Sequence, residues 1–178
     1  MADHPDFALT KNMTVALWIK VNAPGPQQQI FFRGDNRGGL DPYWIGVTND
    51  SIKFFIEGNG QMTLVARYPG LKKWFHLAAV LDDVAGTINI YFDGELAASQ
   101  KTNVRPFADL IADQQAGLGI GSLQTGGGQF LSGAVDEILV DDDALTPAKL
   151  KKIMKGITAD VNPVEKLSTT WGKIKGSY

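Results

Sequence analysis

Cysteine is absent from this 178-residue chain, and histidine occurs only as His4 and His76. The first absence excludes disulfide frameworks, thiolate metal sites and cysteine nucleophiles. The second makes a histidine-rich zinc site a poor fit, because such a site needs at least three good ligands. An excess of one charge is also missing. Lys and Arg total 17 against 19 Asp and Glu, a formal net charge of −2, so the chain lacks the electrostatic footprint of a nucleic-acid binder. No apolar run approaches the roughly 18 residues of a membrane span, and no membrane insertion is expected. The opening Met1-Ala2-Asp3-His4-Pro5 has neither the basic nor the apolar region of a signal peptide. Two contexts stay open: an intracellular chain, or a domain cut from a larger secreted precursor.

What is present is an ordinary globular composition, 44% hydrophobic and 20% charged with 20 Gly and 8 Pro, long enough for one domain with a sizeable core. Period-two alternation fills the first three quarters. Residues 14–21 set Val15, Leu17, Ile19 and Val21 on one face, and residues 51–57 set Ile52, Phe54 and Ile56 against Lys53, Phe55 and Glu57. Similar runs cover 29–33, 43–48, 62–67, 74–81, 87–92, 95–99, 117–122 and 130–140. Turn signals separate them, of which Asp93-Gly94 is the sharpest, since that pair supplies the positive φ angles of a two-residue hairpin. About ten short strands at this spacing predict an antiparallel sandwich or jelly roll.

One helix is expected over 146–156. Thr146 suits the N-cap, Pro147 the first helical position and Gly156 the C-cap, and Leu145 can pack on Leu150. Its apolar stripe is Leu150, Ile153, Met154 and Ile157, its lysines form a solvated face, and it is expected to plug one end of the sandwich. Residues 158–178 read as a linker-like tail in which Leu167, Trp171 and Ile174 can dock on the sandwich.

Four motifs in this order resemble one family: Met13-Thr14-Val15-Ala16-Leu17-Trp18-Ile19-Lys20, Trp74-Phe75-His76-Leu77-Ala78, Ile90-Tyr91-Phe92-Asp93-Gly94, and Phe130 followed by Gly133-Ala134-Val135-Asp136-Glu137-Ile138. Together with the passage Asp141-Asp142-Asp143-Ala144-Leu145-Thr146-Pro147, they are similar to the laminin-G-like, concanavalin A-like lectin/glucanase jelly rolls. The resemblance implies an all-β, two-sheet antiparallel jelly roll over residues 1–157, closed by the short C-terminal helix. It also implies a module that binds glycans or proteins outside the cell, appended to larger chains. One departure stands at the front: the strand that usually precedes the first Trp-bearing strand is reduced to a few residues. Its edge is expected to be covered by residues 167–178 or by a neighbouring chain.

Catalytic patterns are missing. Glu57, Glu95, Glu137 and Glu165 never occur in the Glu-x-Asp-x-x-Glu arrangement of related glucanases, and adjacent Asp136 and Glu137 point to opposite faces of a strand. There is no Gly-x-Ser-x-Gly elbow, and residues 117–121 fail the dinucleotide spacing. The chain is therefore read as a non-enzyme.

Two places attract a functional reading. By strand parity Asp136 shares a face with Ile138 and Val140, so its carboxylate is expected to be partly buried and to need a cation or several donors. The resemblance suggests a structural calcium ion there; backbone N–H donors or an arginine are the alternative. The second place is the stretch from Arg33 to Trp44, which gathers Arg33, Asp35, Asn36, Arg37, Asp41, Tyr43 and Trp44. Planar hydrogen-bonding groups beside aromatic faces suit a sugar. The alternative is a glycine-rich turn whose Arg and Asp pair together while Trp44 packs inward. Phe55 and Tyr91 are read either as one aromatic platform or as cross-strand partners, and His76 as a core histidine.

The resulting expectation is a non-catalytic recognition module for a carbohydrate or glycosylated surface, with a glycan or glycoprotein partner. It would be secreted or cell-surface, beside neighbouring domains of a larger chain. A protein-interaction or adhesion module without a sugar site is the alternative, and a glycoside hydrolase comes third.

Overall fold

A computed structural model describes residues 1–37 and 41–156. Ten strands divide between two sheets: β1 Met13–Val21, β2 Gln28–Gly34, β3 Tyr43–Thr48, β4 Ser51–Glu57, β5 Gln61–Arg67, β6 Trp74–Asp82, β7 Thr87–Phe92, β8 Glu95–Lys101, β9 Gly117–Ile120 and β10 Gly133–Asp141. Sheet A has the order β5-β4-β3-β2-β9 and sheet B the order β10-β1-β6-β7-β8. Every pairing is antiparallel.

Alternation explains the core. Ile52, Phe54 and Ile56 of β4 and Val15, Leu17, Ile19 and Val21 of β1 are all fully buried and meet between the sheets. Each such side chain contributes about 1.5–3 kcal/mol of transfer free energy. The β7–β8 hairpin turns on Asp93 and Gly94 at φ 51° and 75°, as the sequence predicts.

Three expectations need correction. β1 is not an edge strand awaiting a partner, because β10 and β6 flank it on both sides. What remains of an opening strand pairs elsewhere: Ala2 bridges Gly117 on the free edge of β9. Residues 167–178 lie outside the described residues. The helix α1, Pro147–Ile153, starts as predicted, with Thr146 Oγ1 accepting from the Lys149 amide, but it does not plug an end. It lies on the outer face of sheet B, where Leu145 and Leu150 pack on Ala16, Ala78 and Val80, with Tyr91 and Leu139 beside them.

The third correction concerns Asp136. The β1–β10 register shifts between Ala16 and Trp18, and Glu137 at φ 49° carries the bulge. The extra residue resets parity, so Val135 faces the core while Asp136 pairs across from Trp18 and is exposed. Its carboxylate accepts the Glu137 N–H at 2.9 Å. The buried anion that motivated a calcium ion is therefore not there. Among the described residues no group of three or more Asp, Glu or His is arranged to hold a metal ion.

Candidate functional site

The stretch from Arg33 to Trp44 divides between the inside and outside of sheet A. Arg33 shares the inward row with Tyr43 and Ile56. Its guanidinium is 1% exposed, donates to both Asp3 carboxylate oxygens at 2.8 Å and to the Ala108 carbonyl at 2.9 Å, and lies 6.0 Å from the Tyr43 ring centroid. Tyr43 is fully buried, donates its hydroxyl to the Phe7 carbonyl, and has its pKa pushed up by burial. These two expected ligand contacts are internal, because strand alternation puts Arg33 on the face of Phe31 and Tyr43 on that of Ile45.

Asp35 is also buried, but in the loop that follows β2. It accepts from the Arg37 amide and guanidinium and from the Ile111 N–H at 2.8–3.0 Å. Burial alone would raise its pKa, yet the hydrogen bonds from Arg37 and Ile111 outweigh that and hold it below the usual value. Arg37 sits 5.9 Å from the Phe107 ring centroid, and Asn36 is tied to Gln115 and Gln124. Arg37 and Asp35 thus pair within this loop, whereas Arg33 pairs outside it with Asp3.

The outward face carries the aromatic residues. A cross-strand row runs Phe32, Trp44, Phe55, Thr63, and Trp44 stacks on Phe55 at 5.2 Å with planes 17° apart. Trp44 is 8% exposed and Phe55 more so, which makes Phe55 the accessible ring of the pair. The neighbouring row is Gln29, Gly46, Lys53, Val65. Glycine at position 46 fits a crowded place: a Cβ would come within 2.8 Å of the Gln28 carbonyl, 3.3 Å of Gln29 Oε1 and 3.4 Å of the Trp44 ring. Gln29 Oε1 and Thr48 Oγ1, both outward by parity, are buried without a hydrogen-bond partner.

On the far side of the ridge stand Glu57, Gln61 and Asp41. Glu57 follows Phe55 by two residues, Gln61 pairs across from it and donates to its Oε1 at 2.7 Å, and the Asp41 N–H reaches its Oε2 at 3.4 Å. Asp41 is held over Gly34, where a Cβ would meet its Oδ1 at 2.5 Å and the Phe32 ring at 2.6 Å. Burial, reinforced by the carboxylates of Glu57 and Asp35, raises its pKa to about 6. Glu57 and Gln61 carry no motif: the β3–β4 pairing brings Glu57 to Asp41, and the β4–β5 register brings Gln61 to Glu57. Their signal in the sequence is parity: Glu57 lies on the face of Phe55.

Tyr91 does not join this platform; it lies under α1 on the opposite sheet. His76 is on that sheet too, 3% exposed and edge-on to Trp18 at 5.5 Å, with burial lowering its pKa. A wide cleft of about 890 Å³ between residues 5–12 and 139–143 is lined by Asp6, Asp141, Asp142 and Asp143 and offers no aromatic face.

Residues 1–151 match the family model of the concanavalin A-like lectin/glucanases superfamily. A search of curated proteins returns no match. Among solved structures, the chain is similar to the Ruminococcus gnavus IT-sialidase CBM40 bound to alpha2,3 sialyllactose, with a TM-score of 0.68 at 17% identity over 83% of this chain and 84% of that one. It is also similar to the binding domain of botulinum neurotoxin serotype G, with a TM-score of 0.60 at 13% identity over 82% of this chain. The receptor binding domain of the C/D mosaic botulinum neurotoxin gives 0.57 at 15% identity over 84% of this chain. This chain spans only 36% and 37% of those two toxin domains, and at such identities the likeness is one of fold.

Proposed function

The chain belongs to the concanavalin A-like lectin/glucanases superfamily, and from that premise we propose that it is a non-catalytic glycan-recognition module that binds through the outer face of sheet A. The observation that carries this reading is the Trp44–Phe55 stack flanked by Glu57, Gln61 and Asp41. An aromatic plate takes the apolar side of a pyranose, and fixed acceptors and amides beside it take the hydroxyls. Of the loop residues expected to bind, Asp41 and Trp44 stay with this face, whereas Asn36 is tied to Gln115 and Gln124 and Arg37 to Asp35 in the loop after β2. The neighbouring sialidase module bound to sialyllactose supports a glycan as partner, and the same family membership supports a secreted or cell-surface setting beside other domains.

A glycan array followed by titration of the best binder tests the proposal. Phe55→Ala, at a partly exposed position, is expected to weaken binding at least tenfold while the chain stays folded by circular dichroism, the lost stack lowering the melting temperature. Unaltered affinity would remove the face from consideration. Hydrolysis is favoured by one observation only, the raised pKa of Asp41 beside Glu57. Both Glu57 oxygens, however, already accept hydrogen bonds, which suits a fixed acceptor better than a nucleophile. Release of reducing sugar from a β-glucan by the purified protein would reverse this judgement.

A further inference from the structure

Resting on that reading of sheet A, we infer that the glycan it takes is neutral or carries an amino group, and that sialylated and other acidic glycans are excluded from the Phe55–Glu57 side of the ridge. The reason is where the charges go. Recognition of a sugar carboxylate calls for a cation with hydrogen-bonding capacity to spare, most effectively a bidentate arginine. Both arginines of the stretch are paired with aspartates, and Arg33 faces the core rather than this surface. Arg33 is buried and gives two bonds to Asp3, and Arg37 is held by Asp35 through its backbone amide, Nε and Nη2, the last at 2.7 Å.

What the rim presents instead is negative. Asp41 and Glu57 approach each other beside Phe55, and neither is ion-paired among the described residues. The described residues around them add no balancing charge: Gln61 and Thr63 of β5 are neutral. Arg67 of β5 is directed to Asp50 at 3.1 Å. Among the described residues Lys53 is the remaining cation of this face, but it stands four residues from Glu57 along β4, about 13 Å away across the aromatic ridge.

The preference is therefore opposite in sign to the ligand of the sialidase module that shares the fold.

The test is a titration of the purified chain at pH 7.5 with three matched oligosaccharides: galactose-terminated, its α2,3-sialylated counterpart, and one with a terminal amino sugar. The neutral or amino form is expected to bind at least tenfold more tightly than the sialylated one. In the Asp41→Asn, Glu57→Gln double variant the ratio is expected to fall several-fold toward one. Sialylated glycan binding as tightly as the neutral form, with loss in Phe55→Ala or in Lys53→Gln, overturns the charge argument and leaves glycan recognition standing. No binding in any arm, or binding indifferent to Phe55→Ala, overturns both.

Discussion

Asp41→Asn should stabilise the protein at neutral pH and leave it unchanged in acid. In the folded chain the Asp41 carboxyl is pushed up to about 6 from 3.8, first by burial and then by Glu57 and Asp35. Between these two values the folded state keeps a proton that the unfolded state has released, so stability falls as pH rises through the window from about 4 to about 6 and is level above it. A rise of this size corresponds to about 3 kcal/mol if it were wholly realised. The side chain is only partly buried, and solvent screening brings the expected cost to about 1–2 kcal/mol. Asparagine keeps the shape and cannot ionise. Urea unfolding of both proteins at pH 7.5 and pH 3.5 reads the effect: the variant should gain about 1–2 kcal/mol at the higher pH and nothing at the lower. An equal gain at both values, or a loss at pH 7.5, would refute the electrostatic origin and with it the negative character assigned to the rim.

Further consequences follow from buried polar groups. Asp3→Ala leaves the 1%-exposed Arg33 guanidinium without its carboxylate and should cost about 3–5 kcal/mol, measured by denaturant midpoint; a loss under 1 kcal/mol would mean that Arg33 turns out to solvent. Thr14→Val removes a hydroxyl that donates to the Asp143 carbonyl at 2.7 Å and accepts from the Leu145 N–H at 3.0 Å. With both backbone groups left under α1, about 1–3 kcal/mol should be lost. Asp136→Asn should leave the melting temperature within about a degree of the parent's with or without millimolar calcium, because its carboxylate is exposed and bonds only its neighbour's amide. A calcium-dependent loss in this variant would restore a metal role for the residue.

Much of the sandwich was legible because alternation is local. Ile52, Phe54 and Ile56 declare an inward face without knowledge of any partner strand, and Asp93-Gly94 declares its hairpin through φ angles that few other pairs adopt. Thr146-Pro147 fixes the start of α1 in the same way. The misreadings are all non-local. Parity through residues 136–140 fails at one bulge, which Glu137 accommodates at φ 49° and no residue type announces. The place of β1 between β10 and β6 depends on pairings 54 and more residues away.

The candidate site shows the same division. The aromatic and polar residues between Arg33 and Trp44 are legible as one stretch of chain, but their directions are not. Arg33 and Tyr43 continue strand alternation inward, whereas Trp44 faces out. The rim is completed by Glu57 and Gln61 from β4 and β5, which only sheet register brings to Asp41. Phe107 and Ile111, which steady Arg37 and Asp35, come from a segment without regular structure at those positions.

The central claim, that a glycan is recognised on the outer face of sheet A, is tested most directly by mapping amide chemical shifts during titration with a galactose-terminated oligosaccharide. The account predicts that the largest changes fall together on Trp44, Phe55, Glu57, Gln61 and Thr63 and that Phe55→Ala removes them. Changes concentrated on sheet B around α1, or in the cleft between residues 5–12 and 139–143, would contradict it.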